Sequence, residues 1–153
     1  MELKKYFICI IIFNFTNFLY ADIIKPDRNL SAYDVIKIQL NALKNNNKPV
    51  KNSGIKQTWL FAHPENKKIT GPYERFQKML FGNQYNVLLN HESHKIKLIM
   101  NSNNKYIYNV ELISSDKKMY FYEWHLEKST TKNCNNCWFT TTVSPPIGKG
   151  NII

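Results

Sequence analysis

The chain has 153 residues, a formal net charge of +10 at pH 7, 14% aromatic residues and 5 glycines. This length fits a single domain, and abundant aromatic residues exclude a largely disordered chain. The positive charge invites a nucleic-acid interpretation, but only Arg28 and Arg75 are arginines and the lysines are scattered among asparagines. Because arginine is the better bidentate reader of phosphate, we expect a solvated basic surface and no nucleic-acid partner.

The N-terminus has the pattern of a signal peptide over residues 1–21. Lys4 and Lys5 precede an apolar run over residues 6–20, and Ala21 follows at the cleavage position. The alternative is a retained membrane anchor, but about 15 apolar residues fall short of the roughly 20 that a spanning helix needs. We therefore expect an exported protein, periplasmic or secreted, with no stable membrane span after cleavage.

A first helix is predicted after a polar N-terminal arm at residues 22–29. Ser31 is its expected N-cap, with Asp34 placed to reach back, and residues 45–49 are expected to end it. Gln39 lies within the apolar face of this helix. We interpret Gln39 as a helix-edge residue that bonds a neighbouring backbone group, the alternative being a polar group in a pocket. The apolar face consists of Ala32, Val35, Ile36, Leu40 and Leu43.

Residues 54–80 predict two further helices separated by a turn. Gly54 suits a break between helices, and the residue before Pro64 disfavours helical angles, so a helix should end there. Residues 66–68 are expected to form a solvated turn. Thr70 is then the expected N-cap of the next helix, with Pro72 in its first turn and Gly82 after its end. The predicted inward-facing residues are Ile55, Thr58, Trp59 and Ala62, then Tyr73, Phe76, Met79 and Leu80.

After Gly82 the pattern changes to the alternation of β-strands. Helices followed by consecutive hairpins predict an α+β domain with helices on one face of a curved antiparallel sheet of about five strands. The domain should cover residues 30–146 and be followed by a tail at 147–153. The strands are predicted at residues 85–90, 94–100, 105–113, 117–127 and 137–143, with a polar loop at 129–136.

Three segments together carry a family resemblance. They read FAHPENKKITGPYERFQKML, YNVLLNH and CWFTTTVSPP. As a set they resemble the domain of unknown function 4864, over roughly residues 30–146. That family is similar to the NTF2-like cone, in which helices pack on a curved antiparallel sheet, so the resemblance implies this fold. It implies no particular activity.

Cys134 and Cys137 form a C-x-x-C pair, and Cys9 lies within the predicted signal peptide. In an exported chain we favour a disulfide between them. The alternatives are a redox-active pair, half of a zinc site and free thiols. A zinc site would need further ligands, and the segment from His91 to His94 is one residue too short for the H-E-x-x-H motif. We interpret those two histidines as surface residues and predict no metal and no cofactor. Only Cys137 matches the family's last strand.

An aromatic set could line a pocket at the mouth of the cone, since ligand pockets are mostly apolar with few polar groups. The alternative for these residues is a core rich in aromatics, which we favour for most of them. The set consists of Trp59, Tyr73, Tyr85, Tyr108, Tyr122, Trp124 and Trp138.

The functional prediction is a non-catalytic accessory protein that binds a small apolar molecule or a protein partner. A homodimer through the open sheet face is a further possibility. The alternative is a small cofactor-free enzyme, an isomerase or hydrolase, that uses a carboxylate or histidine as base. Its candidate residues are Glu111, Glu123, His125 and His63. A redox accessory role for the two cysteines is the third option. The fold class itself does not decide between these functions.

Overall fold

The computed structural model describes residues 23–147 and 149–151. The predicted signal peptide and parts of the predicted arm and tail lie outside these residues. Four α-helices come first and the strands follow, which confirms the predicted α+β order. The helices are α1 Ala32–Lys44, α2 Ser53–Leu60, α3 Pro64–Thr70 and α4 Tyr73–Leu80; the strands are β1 Ser93–Asn101, β2 Lys105–Ile113, β3 Lys118–Thr131, β4 Cys134–Val143 and the short β5 Lys149–Asn151.

The four long strands form an antiparallel sheet in the order β1-β2-β3-β4. Strands β2 and β3 pair without interruption from Lys105 opposite Glu127 to Ile113 opposite Met119. The short β5 continues beside the first residues of β3, where β4 no longer runs. The sheet is therefore a simple meander, and its central strand β3 is the longest.

One face of the sheet is covered by the helices and forms the core. Alternate residues of β3, including Tyr122, Trp124 and Leu126, are buried on that face. From α1, Ile36 and Leu40 are fully buried against them. Apolar residues recur with a period of two in the strands and of about 3.6 in α1, so both elements bury an apolar face against each other, as the sequence predicts.

The first helix is capped as predicted. Ser31 accepts a hydrogen bond from the Asp34 backbone N–H at 3.1 Å, and Asp34 accepts one from the Ser31 backbone N–H at 2.9 Å. This is the reciprocal arrangement of a capping box. It fixes the start of the helix that carries Gln39 into the core.

The break between α1 and α2 lies before Gly54 and not at it, so the predicted role of this glycine is wrong. Gly54 is the second residue of α2, and Asn52 before the helix takes a left-handed φ of 64°. A Cβ on Gly54 would lie 2.0 Å from the Ala42 carbonyl oxygen. Glycine is needed here because the start of α2 touches the end of α1.

The predicted turn at residues 66–68 is also wrong, because these residues belong to α3. His63 caps this helix by accepting a hydrogen bond from the Glu65 backbone N–H at 3.2 Å, and Pro64 occupies the first helical position. Proline is well accepted there because its missing N–H would be unpaired anyway. Thr70 accordingly ends α3, and Pro72 precedes α4.

Residues 85–90 do not form the predicted strand. Asn86–Leu88 is a single turn of 3-10 helix, and Asn90 takes a left-handed φ of 54°. The Asn90 backbone N–H donates to the Leu43 carbonyl at 2.8 Å. The segment thus uses its backbone groups to pack against the end of α1, and Leu88 is buried there.

The predicted polar loop at residues 129–136 is shorter in the structure. Strand β3 continues to Thr131 and β4 begins at Cys134, so Lys132 and Asn133 alone connect them. Cys134 and Cys137 lie at disulfide-bonding distance within the start of β4, and Asn136 between them has a positive φ of 56°. A local bulge brings together two cysteines that a regular strand would place apart.

Candidate functional site

A cavity of about 270 Å³ lies between the helices and strand β4. Its apolar wall comes from α1, α3 and α4, the 3-10 turn, the α2–α3 connection and the end of β4. The residues of this wall are Leu43, Ala62, Ile69, Phe76, Met79, Leu80, Leu88 and Val143. Side chains that carry a polar group supply the rest, namely Gln39, Thr58, Asn66, Thr70, Tyr85, Trp124, Thr140, Thr141 and Thr142. We call this space the helix–β4 cavity.

The α2–α3 connection attaches the helices to this side of the sheet. Phe61 accepts a hydrogen bond from the Thr140 N–H, and His63 donates its N–H to the Thr140 carbonyl, both at 2.8 Å. The connection therefore runs beside β4 like a short extra strand, with Ala62 opposite Thr140. This pairing holds α3 over the strand and creates the roof of the cavity.

A buried network forms the floor of the cavity. The indole Nε1 of Trp124 donates to the Gln39 Oε1 at 3.2 Å and to the Thr140 Oγ1 at 3.0 Å. The Thr140 hydroxyl donates to the same Gln39 oxygen at 2.6 Å. Gln39 Nε2 donates to the Thr58 carbonyl at 3.1 Å. Because an indole can only donate, the oxygen of the Gln39 amide must face it, and the network fixes the orientation of the amide.

Gln39 thus combines the two readings that the sequence left open. It bonds a backbone carbonyl, as the preferred interpretation holds, and it also lines the cavity. The predicted position at the helix edge is wrong, because Gln39 is buried on the core-facing side of α1. Thr140, Thr141 and Thr142 on the cavity wall were not among the predicted site residues.

The predicted aromatic pocket divides into two groups. Tyr85 and Trp124 line the helix–β4 cavity. The others lie outside its wall, as the core interpretation predicts for most of the set. Trp59 packs on Phe76, with ring centroids 4.9 Å apart, and on Tyr73. The remaining three are Tyr108, Tyr122 and Trp138, all buried in the core.

The four acid–base candidates do not meet in the cavity. Glu111, Glu123 and His125 point to the sheet face that the helices leave uncovered, because they alternate with the buried residues of β2 and β3. There His125 and Glu123 approach each other at 3.3 Å, and Glu111 pairs with Lys95 at 3.3 Å. The fourth candidate, His63, caps α3. Among the described residues, the cavity wall contains no carboxylate, histidine, lysine or arginine.

His91 and His94 are not both surface residues. His91 is buried, with a 2% exposed surface, and its ring bonds the Leu88 carbonyl through Nδ1 and His94 through Nε2, each at 2.7 Å. Burial lowers the pKa of His91 to about 4 and also lowers that of His94. The pair is a structural link between the 3-10 turn and β1. Within the described part of the chain, no three histidines, cysteines or carboxylates cluster as metal ligands.

A second, more open cavity of about 840 Å³ lies between the N-terminal arm, α3 and the β3–β4 hairpin, beside Cys134 and Phe139. Lys67 is on its wall. The Lys67 Nζ donates to the Leu60 carbonyl at 3.3 Å and lies 5.3 Å from the centre of the Trp59 ring. Burial lowers the pKa of this lysine. The two cavities therefore differ in charge, since only the second has ammonium groups on its wall.

Comparison with protein-family models, with curated proteins and with solved structures found no match. The resemblance to the domain of unknown function 4864 and to the NTF2-like cone therefore stays a prediction from the sequence. No helix in residues 23–147 and 149–151 is long and apolar enough to cross a membrane.

Proposed function

We propose that the protein is an exported, non-catalytic accessory module that holds a small apolar or amphipathic molecule in the helix–β4 cavity. The observation that carries the proposal is the cavity itself. Its volume of about 270 Å³ is just below the usual range of about 300–1,000 Å³ for pockets that bind drug-sized ligands. Its wall combines apolar side chains with polar groups, several of them fixed by hydrogen bonds within the protein, and ligand sites likewise use placed polar groups to orient a molecule on an apolar surface.

The binding role is supported over the enzymatic alternative by the positions of the acid–base candidates. A general base must come within hydrogen-bond reach of the proton that it removes. Glu111, Glu123 and His125 lie on the other face of the sheet, and His63 uses its Nδ1 to cap α3. A molecule in the cavity would thus meet amides, hydroxyls and apolar side chains.

We further propose that the domain is an NTF2-like cone and that the chain is exported. The cone is favoured by helices that precede an antiparallel meander and cover one of its faces. Export is favoured by the signal-peptide pattern at residues 1–21 and by a cysteine pair at disulfide distance, since disulfides persist in oxidising compartments.

Native mass spectrometry of the protein isolated from an exported fraction tests the proposed export and the proposed binding role. The expected mass is that of residues 22–153 less two hydrogens, with a second population that carries a small bound molecule. A full-length chain with free thiols would contradict export and the disulfide. Protein that never carries an adduct and gains none from hydrophobic extracts would contradict the binding role.

A cavity variant with a matched control locates the bound molecule. Met79 lines the cavity and makes no side-chain hydrogen bond to a described residue, so Met79→Trp should fill the space without breaking a polar contact. Its neighbour Lys78 is exposed on the same helix, and Lys78→Trp adds the same indole outside the cavity. We expect the adduct to disappear in the first variant and to remain in the second.

A further inference from the structure

Almost all the hydroxyl groups around the helix–β4 cavity donate hydrogen bonds to acceptors within the protein. Thr58 donates to the Gly54 carbonyl at 2.9 Å, Thr70 to the Asn66 carbonyl at 2.8 Å, and Tyr85 to the Val143 carbonyl at 3.0 Å. A hydroxyl has a single proton to donate. These side chains therefore offer a ligand only oxygen lone pairs and carbon surface.

On β4 the same holds for two of the three threonines. Thr140 donates to Gln39 at 2.6 Å, and Thr141 donates to the His125 carbonyl at 3.3 Å. The donors left for a ligand are the hydroxyl of Thr142, which is exposed, and two amides. The Asn66 carboxamide, on the half-buried side of α3, makes no hydrogen bond to another described residue, and the Gln39 amide has a second N–H besides the one given to Thr58.

Charge is also missing from the wall. None of the described lining residues carries a formal charge, although the whole chain has a net charge of +10. The nearby ammonium of Lys67 is held by the Leu60 carbonyl and the Trp59 ring and faces the second cavity. Moving a carboxylate or an ammonium from water into a site without a counter-charge is strongly unfavourable.

We propose that the helix–β4 cavity selects uncharged amphipathic molecules and excludes organic acids and amines of the same length. This inference rests on the proposed binding function and specifies its ligand class. The apolar part of the ligand packs against the Leu88 and Met79 side of the wall. Its hydroxyl or carbonyl group bonds the carboxamide of Asn66, which can donate and accept.

Three probes of equal length test the selection: 1-octanol, octanoate and octylammonium, titrated at pH 7 into the full mature protein. The indole N–H resonance of Trp124 reports on the cavity floor by NMR, and only affinity that Met79→Trp removes and Lys78→Trp retains is assigned to the cavity. We expect octanol to bind at least about thirtyfold more tightly than either ion, because only octanol enters without losing the hydration of a charge.

The outcomes separate this inference from the binding function. If octanoate or octylammonium shifts the Trp124 resonance with an affinity equal to that of octanol, the selection for uncharged molecules is wrong while the binding function stands. If none of the three probes binds and no molecule is retained by the isolated protein, the binding function fails and the selection fails with it.

The anchoring role of Asn66 has its own test. Asn66→Leu should lower the affinity for octanol about fivefold, because one hydrogen bond usually contributes about that much. It should leave the affinity for n-octane unchanged. The exposed neighbour Glu65→Leu is the control and should change neither affinity. Equal losses for octanol and octane in Asn66→Leu would show a change in cavity shape and would overturn the anchor.

Discussion

At the residue scale, the clearest departure from expectation is a histidine with a structural role. His91 is buried between the 3-10 turn and β1, and its two ring nitrogens bond Leu88 and His94. With Nδ1–H donated to a carbonyl, the neutral ring accepts from His94 through Nε2. The groups that face it from the neighbouring elements include a second imidazole and Lys44, and both oppose its protonation.

We expect His91 to make the fold sensitive to mild acid. Burial lowers its folded-state pKa from 6.5 to about 4, so between these values the unfolded chain binds a proton that the folded chain does not. The contribution of the neutral His91 ring to the free energy of unfolding is complete above pH 6.5. It is lost as the pH falls towards 4, and the total loss is up to about 3 kcal/mol. Urea denaturation at several pH values should show this slope in the natural protein and a smaller one in His91→Asn. Identical slopes in the two proteins would contradict the assignment, because the carboxylates contribute equally to both.

At the scale of elements, the contact between α1 and α2 depends on a missing side chain. The Gly54 backbone N–H donates to the Asn46 carbonyl at 3.1 Å, and the Asn46 side chain accepts from the Ile55 N–H at 3.0 Å. The helices are joined so closely that a Cβ at Gly54 would also lie 2.8 Å from the Asn46 Cα. The clash is with backbone, which cannot rotate away.

Gly54→Ala should therefore lower the free energy of unfolding by about 2 kcal/mol or more, as overpacking commonly does. Gly82→Ala is the matched control, because its added Cβ would come no closer than 3.1 Å to the Met79 carbonyl oxygen. We expect the control to change stability by less than about 1 kcal/mol. Chemical denaturation of both variants measures these changes. Similar losses in the free energy of unfolding at the two positions would contradict the tight contact between α1 and α2.

The elements that the sequence predicts well are those with local signals. The Ser31–Asp34 capping box needs only four consecutive residues, and the alternation of β2 and β3 extends over enough residues to exclude a helix. The pattern fails where the signal is short. Tyr85, Val87 and Leu89 alternate like a strand over a few residues, but the backbone of Asn90 bonds Leu43, and this distant contact selects the 3-10 turn.

The cavity is harder to predict than the fold for the same reason. Its floor joins Gln39 to Thr140, residues 101 positions apart, and nothing in either segment alone indicates the partner. The aromatic prediction included Trp124 because ligand pockets are mostly apolar with few polar groups. It did not identify the threonines, because small polar residues on a strand are as typical of a solvated face.

At the scale of the whole molecule, positive charge and ligand selection are separated in space. The chain has a net charge of +10, but the described wall of the helix–β4 cavity is uncharged. Long-range attraction to polyanions and binding in the cavity should therefore respond differently to salt, since screening weakens interactions between exposed charges.

We expect binding to duplex DNA to be weak and independent of sequence, and to fall on the order of tenfold or more between about 50 and 200 mM salt as condensed counterions compete. Octanol affinity should not change over the same range. Fluorescence anisotropy with two unrelated duplexes of equal length measures the DNA affinity, and the octanol titration is repeated at the same salt concentrations. A preference for one duplex that persists at the higher salt would establish a specific nucleic-acid site and would contradict the view that the lysines form a solvated surface. Octanol affinity that falls in parallel with DNA affinity would contradict the view that the two kinds of binding are independent.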